Sequence, residues 1–445
     1  MSNTYQKSSR RGHREPPAGE IAVPEQVIVS MSEIAESAKE GLLALAAGTG
    51  LQVMAAMFSE DAARLCGPDG KHNPGRAGYR HGSEAGSVTL GGRRLAMTRP
   101  RVRAADGSGE LHLPSYDLFS STEVLGRLAL EKMIAGLSSR RYAAGLEPAG
   151  AAVEDAAAAT SKSAVSRRFV AATETALAEL MSADLSGLDL VAFMVDGVHF
   201  GEHTCVVALG IGIDGVKHPL GVEEGSTENA AVVTDLITGL RDRGLDTGKP
   251  VLAVLDGAKA LSKAVRDVFD KPVIHFDKPV IHRCQQHKIR NVTGKLPERL
   301  KSVTEKRMRQ AYHAESALKA EAELQALARE LDKTHPGAAA SLREGMAETL
   351  TGLRLEVPPT LARTLRSTNT IESMIEICRE HSKNVKRWRD GTMALRWCAA
   401  GMIEAGKQFR RVNGHLHLPK LRDALNACFT ENVTATCQDE NVRAA

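Results

Sequence analysis

The chain has 445 residues, which is enough for two or three domains and excludes a small scaffold held together by disulfides. It is 42% hydrophobic and 25% charged, with no run of eighteen apolar residues and no charged and apolar leader after Met1. We therefore expect neither a membrane-spanning helix nor a signal peptide, and we predict a cytoplasmic protein. The seven cysteines are scattered along the chain, a pattern that predicts free thiols.

The net charge of +4 hides two basic segments. From Lys71 to Arg103 there are eight Lys or Arg residues against one acidic residue, and from Arg379 to Arg422 there are eleven against three. The rest of the chain is therefore acidic. Two such segments predict surfaces that bind a polyanion, with nucleic acid as the first candidate, although a basic run can also be an ordinary solvated face.

The first third of the chain is predicted to be mainly helical, with one basic β-hairpin. Helices are expected over Ser32–Phe58 and Thr122–Ala135, and Gly91-Gly92 has the spacing of a two-residue hairpin turn. The helix expected over Thr160–Phe169 opens with hydroxyl residues. It could be the recognition helix of a helix-turn-helix or part of an ordinary helical hairpin.

The middle of the chain alternates short apolar runs with amphipathic helices, which predicts an α/β fold with a mixed sheet. A block over Pro297–Leu355 is almost wholly helical, with Leu318, Leu324, Leu327 and Leu331 on one long amphipathic helix. A last helix begins near Ser367. The predicted strands are Leu190–Val195, Thr204–Ile213, Val216–Val222, Val251–Leu255 and Val280–His282.

These changes in composition and in the spacing of apolar residues divide the chain into six predicted segments. The sheet core is interrupted by an all-α insertion and is preceded by a region suited to binding DNA. In chain order the segments are a disordered tail (1–30), the N-terminal region (31–185), the first part of the core (186–296), the helical insertion (297–366), the last part of the core (367–430) and a second tail (431–445).

Two of the predicted strands lead into an Asp-Gly pair, at Asp196 and at Asp256. A carboxylate at the carboxyl edge of a buried sheet lies where α/β folds place their sites, and two of them side by side suit Mg²⁺ or Mn²⁺. The alternative is that Asp-Gly is a turn dipeptide, which we accept for Asp214 because a strand returns directly after it. For Asp256 the alternative is a helix cap.

A third carboxylate is available from Glu372, in the first turn of the predicted last helix. The apolar residues Ile371 and Met374 bury one face of this helix, and Glu372 lies about 100° from Ile371 around its axis. It can therefore point at the sheet edge. The alternative is a capping box, because Asn369 and Glu372 have the required spacing.

Cys284 and His287 have the spacing of half a zinc site, but no second close pair of ligands follows them. A packing or supporting role beside the site is therefore expected for this pair. Basic side chains that we expect to contact DNA lie in the hairpin, in the Thr160–Phe169 helix, beside His287 and in the second basic segment: Arg93, Arg94, Arg99, Arg101, Arg103, Lys162, Arg167, Lys288, Arg290, Lys386 and Arg387.

A tandem repeat precedes Cys284. Asp270–Phe276 is followed at once by Asp277–Arg283, with six identical residues seven positions apart. An odd shift would turn every apolar side chain to the opposite face of one continuous strand. We therefore predict that Val280–His282 forms the inner strand and that Asp270–Phe276 loops out.

Four motifs in order resemble the Mutator-like family of bacterial insertion-sequence transposases: Val195–Phe200, Leu255–Leu261, Arg283–Lys288 and Thr368–Ser373. The resemblance implies a ribonuclease H-like core with a DDE triad at Asp196, Asp256 and Glu372, with Cys284 and His287 as the family's Cys-x-x-His signature. It also implies a helical insertion before Glu372, an amino-terminal region that binds element ends, and catalysis with Mg²⁺ or Mn²⁺, as two ions.

The expected activity is DNA transposition, in which strand cleavage at the terminal inverted repeats is followed by transfer of a 3′ hydroxyl to target DNA. Pairing two ends implies a homodimer or higher oligomer in the DNA complex. Two other classes stay open. A helix-turn-helix regulator would need the basic segments and the Thr160–Phe169 helix but not the carboxylates, and a ribonuclease H-like nuclease or resolvase would need the carboxylates without strand transfer.

Overall fold

The structure is a computed structural model that describes residues 41–428, apart from 69, 72, 226–229 and 270–279. The chain divides into two compact units, one ending at Phe169 and the other beginning at Val170. This division falls inside a helix, Lys162–Ser182, rather than at the predicted boundary after residue 185. Among the described residues, no helix is both long enough and apolar enough to cross a bilayer.

In the first unit, a long helix packs on an antiparallel ribbon. Helix α1 (Leu42–Cys66) covers strands β1 (Gly78–Leu90) and β2 (Arg93–Ala104), to which the short β3 (Glu110–Leu111) adds. The predicted hairpin is confirmed: Gly91 and Gly92 have φ of +55° and +79°, the left-handed pair that a two-residue turn needs. The start of the helix predicted from Ser32 lies outside the described residues.

Short helices complete this unit. The helix predicted over Thr122–Ala135 is confirmed as α3, and the one predicted over Thr160–Phe169 continues to Ser182 as α5. The elements are α2 (Pro114–Ser120), α3 (Glu123–Ile134), a 3₁₀ turn (Ala143–Gly145), α4 (Ala151–Asp155) and α5 (Lys162–Ser182).

The second unit is built on a five-stranded mixed sheet, in the order β6-β5-β4-β7-β8. The first three strands in sequence are antiparallel, and β7 and β8 run parallel to β4. All five strands match predicted ones, so the α/β prediction is confirmed. They are β4 (Leu190–Phe200), β5 (His203–Gly212), β6 (Lys217–Gly225), β7 (Leu252–Leu255) and β8 (Val280–Arg283).

Helices cover both faces of this sheet. On one face, α6 (Ala230–Asp242) and α7 (Lys259–Phe269) bury residues such as Ile237 and Leu261 against Val195 and Leu255. On the other face, α15 (Asn369–Ser382) and α16 (Gly391–Gln408) bury residues such as Met374 against Met194. The burial of apolar side chains on both faces explains why the strands read as continuous apolar runs.

The helical block between β8 and α15 has its own apolar cluster. It comprises α8 (Gln285–Thr293), α9 (Glu298–Ala311), α10 (Ala317–Asp332), α11 (Pro336–Arg343), α12 (Met346–Thr349), α13 (Thr351–Arg354) and α14 (Pro359–Leu365). Leu324, Leu327 and Leu331 are buried as predicted, but Leu318 is 81% exposed, so its place on the apolar stripe was wrong. Leu318 lies in the first turn of α10, ahead of the part that packs.

The tandem repeat is described only in part. Val280–Arg283 forms β8, as predicted for the second copy, and it pairs with β7 at one edge of the sheet rather than inside it. The first copy, over residues 270–276, lies outside the described residues, so its predicted loop stays a prediction.

Candidate active site

The alternation of side chains along two parallel strands places Asp196 and Asp256 on one face of the sheet. Met194 and Val254 are paired between β4 and β7, and both belong to the apolar cluster beneath α15. Asp196 and Asp256 follow two residues later, so they project to the same face. Because adjacent strands lie about 4.8 Å apart, the register brings the two aspartates level with each other.

The two strands do not end in the same way. Strand β7 ends at Leu255, so Asp256 follows its strand directly, as predicted. Strand β4 instead continues through Asp196, which is paired with Val207, and ends at Phe200. The prediction that β4 stops at Asp196 was wrong, because the antiparallel neighbour β5 supplies backbone partners beyond this point.

Both aspartates are half-buried and each bonds the backbone that follows it. The Oδ1 atom of Asp196 accepts the N–H of Gly197 at 2.8 Å, and Oδ1 of Asp256 accepts the N–H of Ala258 at 2.7 Å. The second bond leads the chain into α7, so the capping alternative accounts for one carboxylate oxygen of Asp256. These bonds fix the orientation of each side chain at the sheet edge.

Glu372 lies in the first turn of α15, as predicted. The residue is half-buried, and its Oε1 accepts a hydrogen bond from the hydroxyl of Thr368 at 2.6 Å. The helix begins at Asn369 with Thr368 as its N-cap residue, and no side-chain cap hydrogen bond forms there. The capping box between Asn369 and Glu372 is therefore not the arrangement in this structure.

Cys284 lies between the end of β8 and the start of α8, and its backbone also bonds the end of β7. Its backbone N–H donates to the carbonyl of Leu255 at 2.7 Å, and the next N–H, of Gln285, donates to the carbonyl of Arg366 at 3.0 Å. These two bonds bring the first turn of α8 beside the residues that precede α15. The Cys-x-x-His pair and Glu372 therefore meet at one place although almost ninety residues separate them in sequence.

The side chains at this meeting point contact one another directly. The Nδ1 atom of His287 lies 3.9 Å from Oε1 of Glu372 and 3.3 Å from the hydroxyl oxygen of Thr368. The Sγ atom of Cys284 lies 3.5 Å from the same hydroxyl. His287 therefore lies beside Glu372, and Cys284 is linked to the same carboxylate through Thr368.

The charges of this cluster shift two pKa values in opposite directions. Hydrogen bonding with Cys284 raises the pKa of His287 against the effect of burial, and the carboxylates of Glu372 and Asp256 raise it further. Burial would raise the pKa of the Cys284 thiol, but its hydrogen bond with His287 is among the contacts that outweigh burial and lower it.

The donor chemistry of the three carboxylates fits a hard divalent cation, because carboxylate oxygens are the ligands that Mg²⁺ and Mn²⁺ prefer. Within the described ranges, no group of three or more His, Cys, Asp or Glu side chains is arranged to hold a metal ion. The backbone register places Asp196 beside the end of β7, which Asp256 follows, and Glu372 lies in the first turn of the helix that packs on the same face of the sheet.

The arginines of the ribbon are largely paired within their own sheet. Arg99 forms ion pairs with Glu84 and Glu110, and Arg101 bonds Glu110 at 2.7 Å. Arg94 donates to the carbonyl of Ser120 and to the Thr89 hydroxyl. These contacts neutralise or occupy much of the charge that the sequence assigned to a DNA surface.

Two residues predicted to contact DNA are buried, so those predictions were wrong. The Arg93 side chain is only 5% exposed and lies against Glu154. The Lys288 side chain is fully buried and donates to the carbonyls of Ser341 and Glu344, and burial lowers its pKa to about 8. Residues that are close in sequence on a helix can point to opposite sides, so the exposure of one basic residue does not predict the exposure of the next.

The remaining basic candidates are exposed on the surface: Arg103, Lys162, Arg167, Arg290, Lys386 and Arg387. Lys386 and Arg387 belong to a loop between α15 and α16 that we name the basic loop (residues 383–389). Its Trp388 packs on Phe200, with ring centroids 4.8 Å apart. Phe200 is the last residue of β4, so the strand that carries Asp196 also supports the basic loop.

The sequence analysis gave no role to Thr368. It lies inside a quoted motif, but its burial and its contact with three other side chains depend on the meeting of α8 and α15. A hydroxyl residue four positions before a candidate catalytic carboxylate is the sequence signal that could have identified it, since residues i and i+4 share a helix face.

Comparisons with known proteins show the family of this chain. The family model described as "Transposase, Mutator family" matches residues 26–412. The transposase for insertion sequence element IS6120 of Mycolicibacterium smegmatis is 30% identical over 236 residues, covering 52% of this chain and 70% of that protein. The transposase for insertion sequence element ISRM5 of Rhizobium meliloti (strain 1021) is 25% identical over 359 residues, covering 80% and 85%. The resemblance drawn from the motifs is confirmed, and the chain belongs to the Mutator family of transposases.

Proposed function

We propose that this transposase cleaves DNA at the ends of its insertion sequence and transfers the resulting 3′ hydroxyl to target DNA, with Asp196, Asp256 and Glu372 as its catalytic residues. The observation that supports the proposal is the register of the sheet: Asp196 and Asp256 each come two residues after a paired residue of adjacent parallel strands, Met194 and Val254, and Glu372 lies on the helix packed against the face of that pair. The protein would work in the cytoplasm, where the element DNA is.

The sheet supports a ribonuclease H-like core. Its order places the first three strands as an antiparallel meander and adds β7 and β8 in parallel beside β4. The helical block lies in sequence between β8 and α15. Glu372 therefore follows this block in the chain and lies on a helix that packs on the sheet. This is the arrangement that the family resemblance implies for a core with an all-α insertion.

Asp196, Asp256 and Glu372 would hold Mg²⁺ or Mn²⁺, as two ions. When bound, such ions activate the attacking oxygen and stabilise the charge of the leaving oxygen. In the first transfer, water attacks a phosphodiester and the bond to the 3′ oxygen breaks, leaving a 3′ hydroxyl. In the second, that hydroxyl attacks a target phosphodiester, forming one ester bond and releasing a target 3′ hydroxyl.

Other residues of the chain would bind and orient the DNA. The basic loop rests on Phe200, about 13 Å along β4 from Asp196, so its cations lie within reach of phosphates on either side of a scissile bond. The exposed residues Lys162 and Arg167 at the start of α5 would contact the element end. Because an element has two ends, we propose that at least two copies act together on DNA.

The test is cleavage of a labelled element-end DNA in Mg²⁺ by the wild-type protein, by Asp256→Asn and by Asp214→Asn. Asp214 is the matched control: it also precedes glycine, and its Oδ1 accepts a backbone N–H, from Val216, at 3.0 Å. We expect Asp256→Asn to lose at least ~10³-fold in cleavage and Asp214→Asn to stay near wild type. Equal activity of all three proteins would overturn the assignment.

A further inference from the structure

We infer that Thr368 is a positioning residue that holds the Glu372 carboxylate in place for metal binding and links it to the Cys284 and His287 pair. The inference rests on the proposed function, in which Glu372 is a metal ligand. Thr368 is completely buried, and its hydroxyl donates to Oε1 of Glu372 at 2.6 Å. This distance is typical of a strong hydrogen bond to a carboxylate.

The hydroxyl of Thr368 does not perform the usual role of a threonine at this place in a helix. Thr368 is the N-cap residue of α15, and an N-cap threonine normally accepts a backbone N–H of the first turn. No side-chain cap hydrogen bond forms here. The side chain is instead directed along the helix face to Glu372, four residues later, so the bond serves the carboxylate rather than the helix end.

The single proton of the Thr368 hydroxyl determines the direction of its hydrogen bond to Glu372. A hydroxyl has one proton to donate, and an ionised carboxylate can only accept, so the proton of Thr368 goes to Glu372. The same hydroxyl oxygen lies 3.3 Å from Nδ1 of His287 and 3.5 Å from Sγ of Cys284. Thr368 therefore connects the Cys-x-x-His pair to Glu372.

The expected consequence is a preorganised ligand. A glutamate loses conformational freedom when it binds a metal, and a hydrogen bond to one oxygen removes part of that freedom in advance. The Thr368 bond occupies Oε1, and a monodentate ligand needs only the other oxygen. Supporting bonds of this kind are typically worth 10-fold to 100-fold in metal affinity or activity.

The experiment compares Thr368→Val, which keeps the shape and loses the hydroxyl, with Thr368→Ser, which keeps the hydroxyl. Mn²⁺ binding is measured by calorimetry on the full chain, and cleavage of element-end DNA is measured across Mn²⁺ concentrations. We expect Thr368→Val to bind Mn²⁺ 10-fold to 100-fold more weakly and to need correspondingly more Mn²⁺ for cleavage, with end binding unchanged. Thr368→Ser should stay within about 3-fold of wild type.

Two controls make the result decisive. Glu372→Gln should also weaken Mn²⁺ binding; if it does not, Glu372 is not a ligand and the proposed site itself fails. If Glu372→Gln weakens binding but Thr368→Val does not, the role of Thr368 alone is overturned, as it is if Thr368→Ser is as defective as Thr368→Val. Thr368→Ala serves as a second hydroxyl-free variant if the valine protein melts far below wild type.

Discussion

The carboxylates at the sheet edge and the arginines of the ribbon are held in opposite ways. On the ribbon, Arg99 and Arg101 are paired with acidic side chains of the same three-stranded sheet. At the edge, Asp196 and Asp256 accept backbone N–H groups, and Glu372 accepts a hydroxyl. The arginines of the ribbon are paired with carboxylates, whereas these hydrogen bonds to the carboxylates come from neutral donors.

This difference shows why a count of charges along the sequence overstates the unpaired positive charge of the ribbon. The ribbon was counted as strongly basic because only Glu84 lies within its segment. Glu110 lies just outside the segment, on β3, and pairing in the sheet brings it beside both arginines. The charge that reaches solvent is set by strand pairing, which a window along the sequence does not include.

The largest expected effect is at the edge, from Glu372→Gln. The change keeps the size of the side chain and removes the charge, so we expect a loss of at least ~10³-fold in strand cleavage with end binding within about 2-fold. A cleavage assay and a gel-shift assay on the same labelled DNA measure the two quantities. Near wild-type cleavage would mean that Glu372, like the paired arginines of the ribbon, has a structural role.

A second prediction concerns His282, which contrasts with His287 five residues later. Burial lowers the pKa of His282 to about 4, and its Nδ1 accepts the N–H of Gly352 at 3.3 Å. The unfolded chain binds a proton below about pH 6.5 and the folded one only near pH 4, so the free energy of unfolding falls as pH decreases across this window, by roughly 3 kcal/mol at most.

His282→Asn keeps an acceptor for Gly352 and removes this titration. Urea unfolding at pH 7 and pH 5 should therefore show a smaller drop in stability for the variant than for wild type. Parallel pH dependence of the two proteins would mean that His282 is protonated in the folded state, against the effect assigned to its burial.

The third prediction compares two pairs of basic residues. Lys386→Ala with Arg387→Ala removes two exposed cations from the basic loop, and we expect a loss of roughly 10-fold in affinity for DNA at 0.15 M salt and a salt slope smaller by about 2. Arg99→Ala with Arg101→Ala should change affinity by less than about 3-fold, since carboxylates already pair with these side chains. Equal losses would show that the ribbon cations reach DNA despite their pairing.

The smallest effect is expected on the stability of the ribbon. Arg101 and Glu110 are each about a third exposed, so solvent screens their ion pair, and Arg101→Ala should lower the free energy of unfolding by less than about 1 kcal/mol. Thermal unfolding at low and high salt measures it. A loss that persists undiminished at 1 M salt would mean that packing, not charge, supports this position.

Much of the fold could be predicted because it follows local patterns. Apolar runs predict the five strands, and a pair of glycines predicts the Gly91-Gly92 turn. Asp256 lies directly after its strand, as expected. The burial of Lys288 could not be predicted, because it depends on carbonyls of Ser341 and Glu344, more than fifty residues away. The role of Thr368 was missed for the same reason.

The central claim is that Asp196, Asp256 and Glu372 bind the metal ion that cleavage requires, and a metal switch at Asp196 tests it most directly. Sulfur is a poor ligand for Mg²⁺ and a better one for Mn²⁺, so Asp196→Cys should be inactive in Mg²⁺ and regain cleavage in Mn²⁺. We predict that the ratio of cleavage in Mn²⁺ to cleavage in Mg²⁺ rises at least ~10-fold over that of the wild-type protein. An unchanged ratio, with the variant equally active in both metals, would contradict the claim that Asp196 is a metal ligand.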